Sequence, residues 1–458
     1  MSSSSSAAPS SFRPPTVGDV VRLAWPVVVS RSCQTVIGFA DAAMLARLGQ
    51  EALAAGSAGS LNTFAVLILP MGAVQIVNSF AAQFFGRGDL AGARRYGWYG
   101  LLLAAIVQVV AVALIPFTGA ALGLFDFEPG VLDDMARYVS IRLLSTGAVT
   151  GMEGLASYYG GLGNTRLPML ANLAAMVLNV PLNWILIFGN LGFPALGVRG
   201  AAIGSVAATA IAFGGLFAAF VAGFGAPGGR ARSRLEMREF LRMLRFGIPN
   251  GVNWFVEFSA FLFFIDYVVG GHGTTALAAM MATLNLNSFA FMPAFGIATA
   301  GSIFVGQAIG ARRPDAVPSI VGRTFVLNGI WTGVVGGLYV AIPATLLSVF
   351  DDPGLLEYGV PMLMAAGAWQ VLDAAGITLS ESLRAAGDTA FCLWARLLFA
   401  WLLFVPLTVL WARVLGGGPV EAVAGIVIYL AALAVAFYWR FRRGAWRRID
   451  LTGRGAAG

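Results

Sequence analysis

Apolar positions in this chain run in unbroken stretches, with neither the two-residue alternation of a strand nor the single greasy stripe of a surface helix. The segments 101–117 and 399–411 are apolar around nearly their whole circumference. A helix with no water-facing side must be buried in protein or in lipid. A bilayer core of about 30 Å takes about 20 apolar residues per helix. That rule predicts spans at 18–45, 53–83, 95–124, 134–161, 167–190, 199–224, 240–269, 276–307, 318–349, 357–384, 390–414 and 419–440. A membrane β-barrel would show alternation in segments of about ten residues, so the expectation is an all-α integral membrane protein. Pro26, Pro70, Pro249 and Pro293 fall inside predicted helices and should bend them.

Composition strengthens this picture. The chain has 458 residues, 58% of them hydrophobic and only 11% charged, against about 25% charged in an ordinary soluble domain. The net charge of +7 comes from arginine, because lysine is absent. Its placement argues against nucleic acid as a partner. Arg87, Arg94, Arg95, Arg166, Arg230, Arg232, Arg234, Arg238, Arg312 and Arg313 fall in or beside even-numbered connections, with Arg440 to Arg448 at the end. Odd-numbered connections carry Asp126, Glu128, Asp133, Asp134, Asp351 and Asp352. The positive-inside rule then sets both termini in the cytoplasm. Met1 to Pro15 is Ser- and Pro-rich and is expected to be a disordered cytoplasmic tail over 1–16. Cys33 and Cys392 lie in apolar stretches and are read as packing residues; His272, in a Gly-rich turn, is given no role.

A repeat organises the chain. Ala52-Leu53-Ala54-Ala55 recurs as Ala276-Leu277-Ala278-Ala279, Gln83 and Gly86 as Gln307 and Gly310, and Gly163-Asn164-Thr165 as Gly387-Asp388-Thr389, each 224 positions on. Phe39-Ala40-Asp41 is echoed by Phe264-Ile265-Asp266 at 225. Six spans fit in that offset, so both halves enter the membrane alike and a pseudo-two-fold axis should run along the membrane normal, with a cleft between. The expected division is an amino-terminal lobe over 17–224, an arginine-rich linker over 225–239, a carboxyl-terminal lobe over 240–441 and an arginine-rich cytoplasmic tail over 442–458.

An ionisable side chain inside a span is expensive and calls for an explanation. The candidates are Asp41, Glu153, Glu257, Asp266, Asp373 and Glu381. Asp266 and Glu381, near helix ends, read as water-facing or arginine-neutralised, and Glu153 is open between the two readings. Glu257 among phenylalanines, Asp373 within 365–377 and Asp41 read as functional, with Arg31 a candidate partner for Asp41. Asn179 and Asn183 share a helix face, and Asn285 with Asn287 lies in span eight. Amide and carboxylate oxygens together suit a hard cation. Arg31, Arg142 and Arg396 are the deep arginines. Phosphate-binding loops, dinucleotide fingerprints and nucleophile elbows are absent from the sequence, so an enzyme or an ATP-driven pump within this chain has no support and no cofactor is expected.

The sequence resembles the MATE (multidrug and toxic compound extrusion) family, in its bacterial NorM-like branch, over about residues 17 to 440. Ala24-Trp25-Pro26 with the stretch from Gln34 through Gly38 and Asp41 to Met44 is similar to the family's first span. Asn179-Val180-Pro181-Leu182-Asn183, Gly189, Pro194 and Leu196-Gly197-Val198-Arg199-Gly200 resemble its fifth-to-sixth-span signature. Glu257 falls where NorM-like members carry a seventh-span carboxylate, and Trp369-Gln370-Val371-Leu372-Asp373 with Leu383-Arg384 resembles the tenth-span motif and its coupling aspartate. Met280, Met281 and Gly376 depart from the pattern, and Asn183 stands where an archaeal branch has aspartate.

The resemblance implies a secondary transporter in the bacterial inner membrane, exporting drug-like organic cations in exchange for Na+ or H+. On it rests the expectation that Glu257 and Asp373, supported by Asn285, bind the coupling ion, Na+ included. Asp41 would serve a second site, with Asn179, Asn183, Gln34 and Gln370 as supporting polar groups. A monomer in contact with membrane lipid is expected. The alternative is a flippase of a lipid-linked or amphipathic metabolite, which would need arginines in the cleft to meet phosphate.

Overall fold

The computed structural model describes residues 13–124, 129–231, 234–350 and 354–453. Residues 1–12, Asp126, Glu128, Arg232, Asp351, Asp352 and the end of the tail, all used above, lie outside them. The described residues form helices and connecting turns, with no strand among them. Among the described residues, ten helices are long and apolar enough to cross a membrane. Two further spans fall short of that measure for physical reasons. Span one, Val17–Ala46, carries Arg31 and Gln34 in its middle. Span four is broken into Pro129–Leu143 and Thr146–Gly161. With these the described residues make twelve transmembrane helices in two six-helix bundles.

The remaining spans are Gln50–Gly86, Leu90–Leu122, Arg166–Phe188, Val198–Ala222, Met237–His272, Thr274–Gly310, Val317–Ala341, Leu355–Ala385, Thr389–Ala412 and Pro419–Arg442. Span one starts at a capping box in which Thr16 and Asp19 satisfy each other's backbone N–H. Span five ends on Gly189 in the left-handed conformation, which supplies the turn that Asn190 and Pro194 continue. Pro26, Pro70, Pro249 and Pro293 all lie inside helices.

Membrane depth makes the break in span four costly unless its freed backbone groups find partners. Gln108 of span three supplies both: its Nε2 donates to Leu143 O at 3.2 Å and its Oε1 accepts from Gly147 N–H at 2.7 Å. The single polar residue in the apolar run 101–117 is therefore the clamp on a neighbouring helix. Span two breaks likewise between Val74 and Val77, at Gln75 and Ile76.

The two bundles meet reciprocally, span one on span eight and span two on span seven, as a two-fold axis requires. Close backbone approach depends on glycine: Gly72 faces Gly251, and Gly296 faces Val28. Outward-facing positions such as Phe39, Val109, Phe289 and Leu402 are more than two-thirds exposed. That inside-out surface matches a lipid solvent.

Candidate functional site

A cavity of about 420 Å³ lies mainly in the amino-terminal half, walled by spans one, two, four, five and six, with Thr299 and Ile303 of span eight on its far side. Its size falls within the range of about 300–1,000 Å³ typical of small-molecule sites. Phe64, Leu67, Met71, Tyr138 and Met152 give it apolar area. Four charged residues line it: Arg31, Asp41, Arg142 and Glu153.

Two of the four cancel. Arg31 reaches both oxygens of Glu153, at 2.7 and 3.2 Å, in a bidentate pair with little solvent exposure. The sequence offered Arg31 to Asp41; the structure gives it to Glu153, because Arg31 lies ten residues from Asp41 on the same helix, far beyond the three or four that bring side chains together. Glu153 is therefore an arginine-neutralised carboxylate.

Among the described residues Asp41 forms no ion pair and takes hydrogen bonds only from neutral groups, with the Arg142 charge near enough to act on it. Asn183 donates to its Oδ1 at 2.5 Å and Ser205 to its Oδ2 at 3.2 Å. Asn183 also donates to Asn179 Oδ1 at 3.3 Å, and Asn179 in turn to Ser205 Oγ at 3.0 Å. The structure thus brings Asp41, Asn179 and Asn183 into one network across spans one and five. Ser205 of span six completes it and was not singled out, because one serine in an Ala- and Gly-rich helix carries no pattern. Gln34 lines the same cavity.

The carboxyl-terminal half is arranged differently. Glu257 of span seven is in contact with Arg396 of span eleven, so its charge has a resident counter-ion. Asp373, on span ten, is half-buried and makes no hydrogen bond among the described residues. Asn285 is exposed and its amide donates to Met281 O on its own helix at 3.0 Å, so it does not join Glu257 or Asp373. Gln370 donates to Asn287 Oδ1 at 2.6 Å, tying span ten to span eight. Asp266 is exposed near the end of span seven, and Glu381 pairs with Arg384. Cys33 and Cys392 are free and buried. His272 sits against the carbonyls of Val268 and Gly417.

Below the cavity the halves are stitched together. Gln75, at the break in span two, donates to Glu153 at 3.5 Å and accepts from Arg384 of the other half. Beyond it, Gln83 donates to Ala385 O at 2.8 Å and Gln307 donates to Gly161 O at 3.0 Å. Gln83 and Gln307, and Gly161 and Ala385, are each 224 positions apart. One pair of bonds is the two-fold image of the other. Gly86 and Gly310 complete the seam, each with its Cα against the backbone of the opposite glutamine. Gln83, Gly86, Gly161, Gln307, Gly310 and Ala385 sit at the ends of even-numbered spans, beside the arginine-rich connections.

The model of the MatE family matches residues 26–185 and again 252–410, once in each half. A "Probable multidrug resistance protein NorM" of Neisseria meningitidis serogroup B is 30% identical over 379 residues, covering 79% of this chain and 80% of its own. A namesake from Thermotoga maritima is 24% identical over 444 residues, 94% and 93% of the two chains. Among solved structures, a MATE transporter in a straight conformation superposes with a TM-score of 0.84 at 22% identity, covering 94% of this chain and 97% of that one. A multidrug resistance MATE transporter of the MOP superfamily in an outward-facing conformation gives 0.83 at 20% identity with the same coverage. Both halves match the family, and the twelve-helix arrangement is the one its solved relatives share: the chain belongs to the MatE family.

Proposed function

We propose that this protein exports amphipathic, drug-sized molecules in exchange for protons, with Asp41 as the group that couples the two. The observation carrying this reading is the contrast among its in-span carboxylates. Glu153 and Glu257 already hold arginines, so an incoming cation would have to displace a guanidinium. Asp373 holds no arginine either, but it does not line the cavity. Asp41 does line it and forms no ion pair; it accepts only from an amide and a hydroxyl, with the Arg142 charge acting on it from the same wall, so its charge is available to a cation from the cavity. Both neighbours donate to it. A sodium ion would instead want several oxygens turned inward, which favours a proton as its exchange partner. Protonation then removes the negative charge that holds a cationic substrate, and one group serves both in turn.

The glutamine–glycine seam supports an alternating cycle in which the state described here is sealed at the arginine-rich end. On the positive-inside rule that end is cytoplasmic, both termini lie on that side, and the cavity faces out. The moving bodies would be 17–224 and 240–441, linked by 225–239, in a monomer within the bacterial inner membrane. A flippase for a phosphate-bearing lipid finds less support. Of the two arginines lining the cavity, Arg31 is already spent on Glu153.

Dye release from proteoliposomes tests this, with pH and sodium gradients imposed separately. Export driven by acid outside, lost in Asp41→Asn and retained in Glu257→Gln, supports the reading. Export that follows sodium alone, or survives Asp41→Asn at full rate, refutes it.

A further inference from the structure

A second cavity, of about 630 Å³, lies at the arginine-rich end of the molecule. Its walls are the start of span seven, the connection from span ten to span eleven, and Ile449 with Asp450 of the tail. Arg238, Arg242 and Arg245 line it from span seven, where spacings of four and three put them on one helix face. Two carboxylates line it as well, Asp388 and Asp450. Asp388 is spent, because Arg440 donates to both its oxygens at 2.7 and 3.2 Å. Asp450 closes a turn of the tail, accepting from the Thr452 hydroxyl at 3.3 Å and the Gly453 N–H at 2.8 Å. Among the described residues Arg238 and Arg245 make no ion pair or hydrogen bond. Arg242 has Glu239 at 3.8 Å, a carboxylate that also accepts from Tyr96. The lining therefore carries a surplus of cations. Its depth follows from its neighbours. Leu241 lines the cavity and, with Ile248 two turns on, is about half exposed on the face that carries Arg245. Tyr438 and Trp439, exposed on span twelve, adjoin the arginine that holds Asp388, and exposed Tyr and Trp mark the headgroup level of a bilayer.

We propose that this cavity is a binding site for an anionic phospholipid, its phosphate held among Arg238, Arg242 and Arg245 and its acyl chains lying along Leu241 and Ile248. The site is separate from the cavity that contains Asp41 and does not depend on the export reading. A guanidinium presents parallel N–H donors that match two oxygens of a phosphate. Arg245 lies eight residues past the helix start at Met237, about 12 Å along the axis. A cation that far in, among lipid-facing apolar residues, is costly, and a lipid phosphate beside it offsets the cost. Free phosphate would use the arginines and leave Leu241 and Ile248 without a partner, so the match is to a lipid. A zwitterionic headgroup brings an ammonium that the surplus of cations repels, so the site selects for net negative charge. Because its walls come from three segments far apart in sequence, a bound lipid ties span seven to the connection before span eleven and to the tail.

Native mass spectrometry of the full chain, titrated with phosphatidylglycerol or with phosphatidylcholine of the same acyl chains, measures the affinity for the first bound lipid. Phosphatidylglycerol should bind more tightly. In Arg238→Gln/Arg245→Gln its affinity should fall at least about tenfold, since each cation beside an anionic lipid is worth about fivefold. Neither arginine has a partner to lose, so the fold should be unaffected. Ala390→Trp, at an exposed position of the wall, narrows the cavity without altering charge and should weaken binding too. Arg166→Gln/Arg312→Gln removes as many exposed cations from other connections at the same end, and should change the affinity by less than about twofold because distant charges are screened. Inorganic phosphate, added at constant ionic strength, should leave the lipid in place. Displacement by phosphate would make this a site for a soluble anion, and an equal loss in the Arg166/Arg312 pair would reduce it to diffuse surface charge. Either result overturns the proposal, as does equal affinity for the two lipids or unchanged binding in Arg238→Gln/Arg245→Gln or Ala390→Trp.

Discussion

Replacing Gly86 by alanine should push the protein out of the state described here, and the size of the push can be worked from the seam. A Cβ on Gly86 would stand 2.0 Å from the carbonyl oxygen of Gln307 and 2.8 Å from its carbon. Contact at ordinary van der Waals distance, about 3.5 Å, requires the backbones to part by roughly 1.5 Å. The obstacle is a helix backbone, so no rotamer change relieves it. Overpacking of this kind costs about 1–3 kcal/mol. The whole cost falls on the sealed state, because in the alternative state the halves have separated. Alanine's better helix propensity applies to both states and cancels. The equilibrium should therefore move roughly 5- to 150-fold toward the unsealed form.

Ser79 reports the change. It is 4% exposed, with its hydroxyl on Arg384 O at 3.2 Å across the seam. In a chain with Cys33 and Cys392 replaced, Ser79→Cys should react with a membrane-impermeant maleimide in inside-out vesicles at least about fivefold faster when Gly86→Ala is present. Gly310→Ala, whose Cβ would stand 2.0 Å from Gln83 O, should act in the same direction. The double variant should fall short of the sum, since one parting of the seam relieves both clashes. Gly333→Ala, with open space around it, should change nothing. Unchanged labelling in a folded Gly86→Ala protein, or opposite effects at the two glycines, would refute both the seam and its two-fold character.

Three further outcomes follow from the site. Gly204→Ala puts a Cβ 2.1 Å from Asn183 Oδ1, so the amide must swing off Asp41; coupled efflux should fall several-fold while the melting temperature in detergent barely moves. Glu153→Gln leaves Arg31 without its carboxylate in a nearly enclosed place, a loss of about 3–5 kcal/mol for a buried pair, and the melting temperature should drop by several degrees with partial recovery in Arg31→Gln/Glu153→Gln. A double-mutant cycle on Glu257 and Arg396 should show coupling below that range, because the Glu257 side chain remains 33% exposed; no coupling at all would mean the resident counter-ion has no hold on Glu257.

The membrane fold was legible because lipid imposes one rule on every span, and continuous apolar runs obey it visibly. The 224-residue offset was legible for the same reason at larger scale: duplicated halves keep their glycines and glutamines where two backbones must touch, as at Gly86 and Gly310. The charge pairing was not legible. Arg31 to Glu153, Arg384 to Gln75 and Arg396 to Glu257 each join residues 122 to 309 positions apart, and a sequence shows that a span carries an arginine without showing which helix faces it. Gln108 escaped for a different reason. Its role follows from a helix break in its neighbour, and the polar pattern of span three alone contains no trace of that break.

The charges that remain unpaired bear on how hard such a transporter can pump. A proton moving inward through about 100 mV gains about 2.3 kcal/mol, and a tenfold proton gradient adds about 1.4 kcal/mol. Exchange of one proton for one monovalent cation moves no net charge, so the voltage contribution vanishes and enrichment stops near tenfold. For a substrate that is neutral overall, one proton delivers both contributions, several hundredfold in concentration. A single coupling carboxylate is then enough, and Glu257 is free to hold Arg396 as a fixed pair. The same arithmetic makes a sharp demand on experiment: a membrane potential, inside negative, should accelerate efflux of an electrically neutral dye and leave the rate for a monovalent cationic dye unchanged.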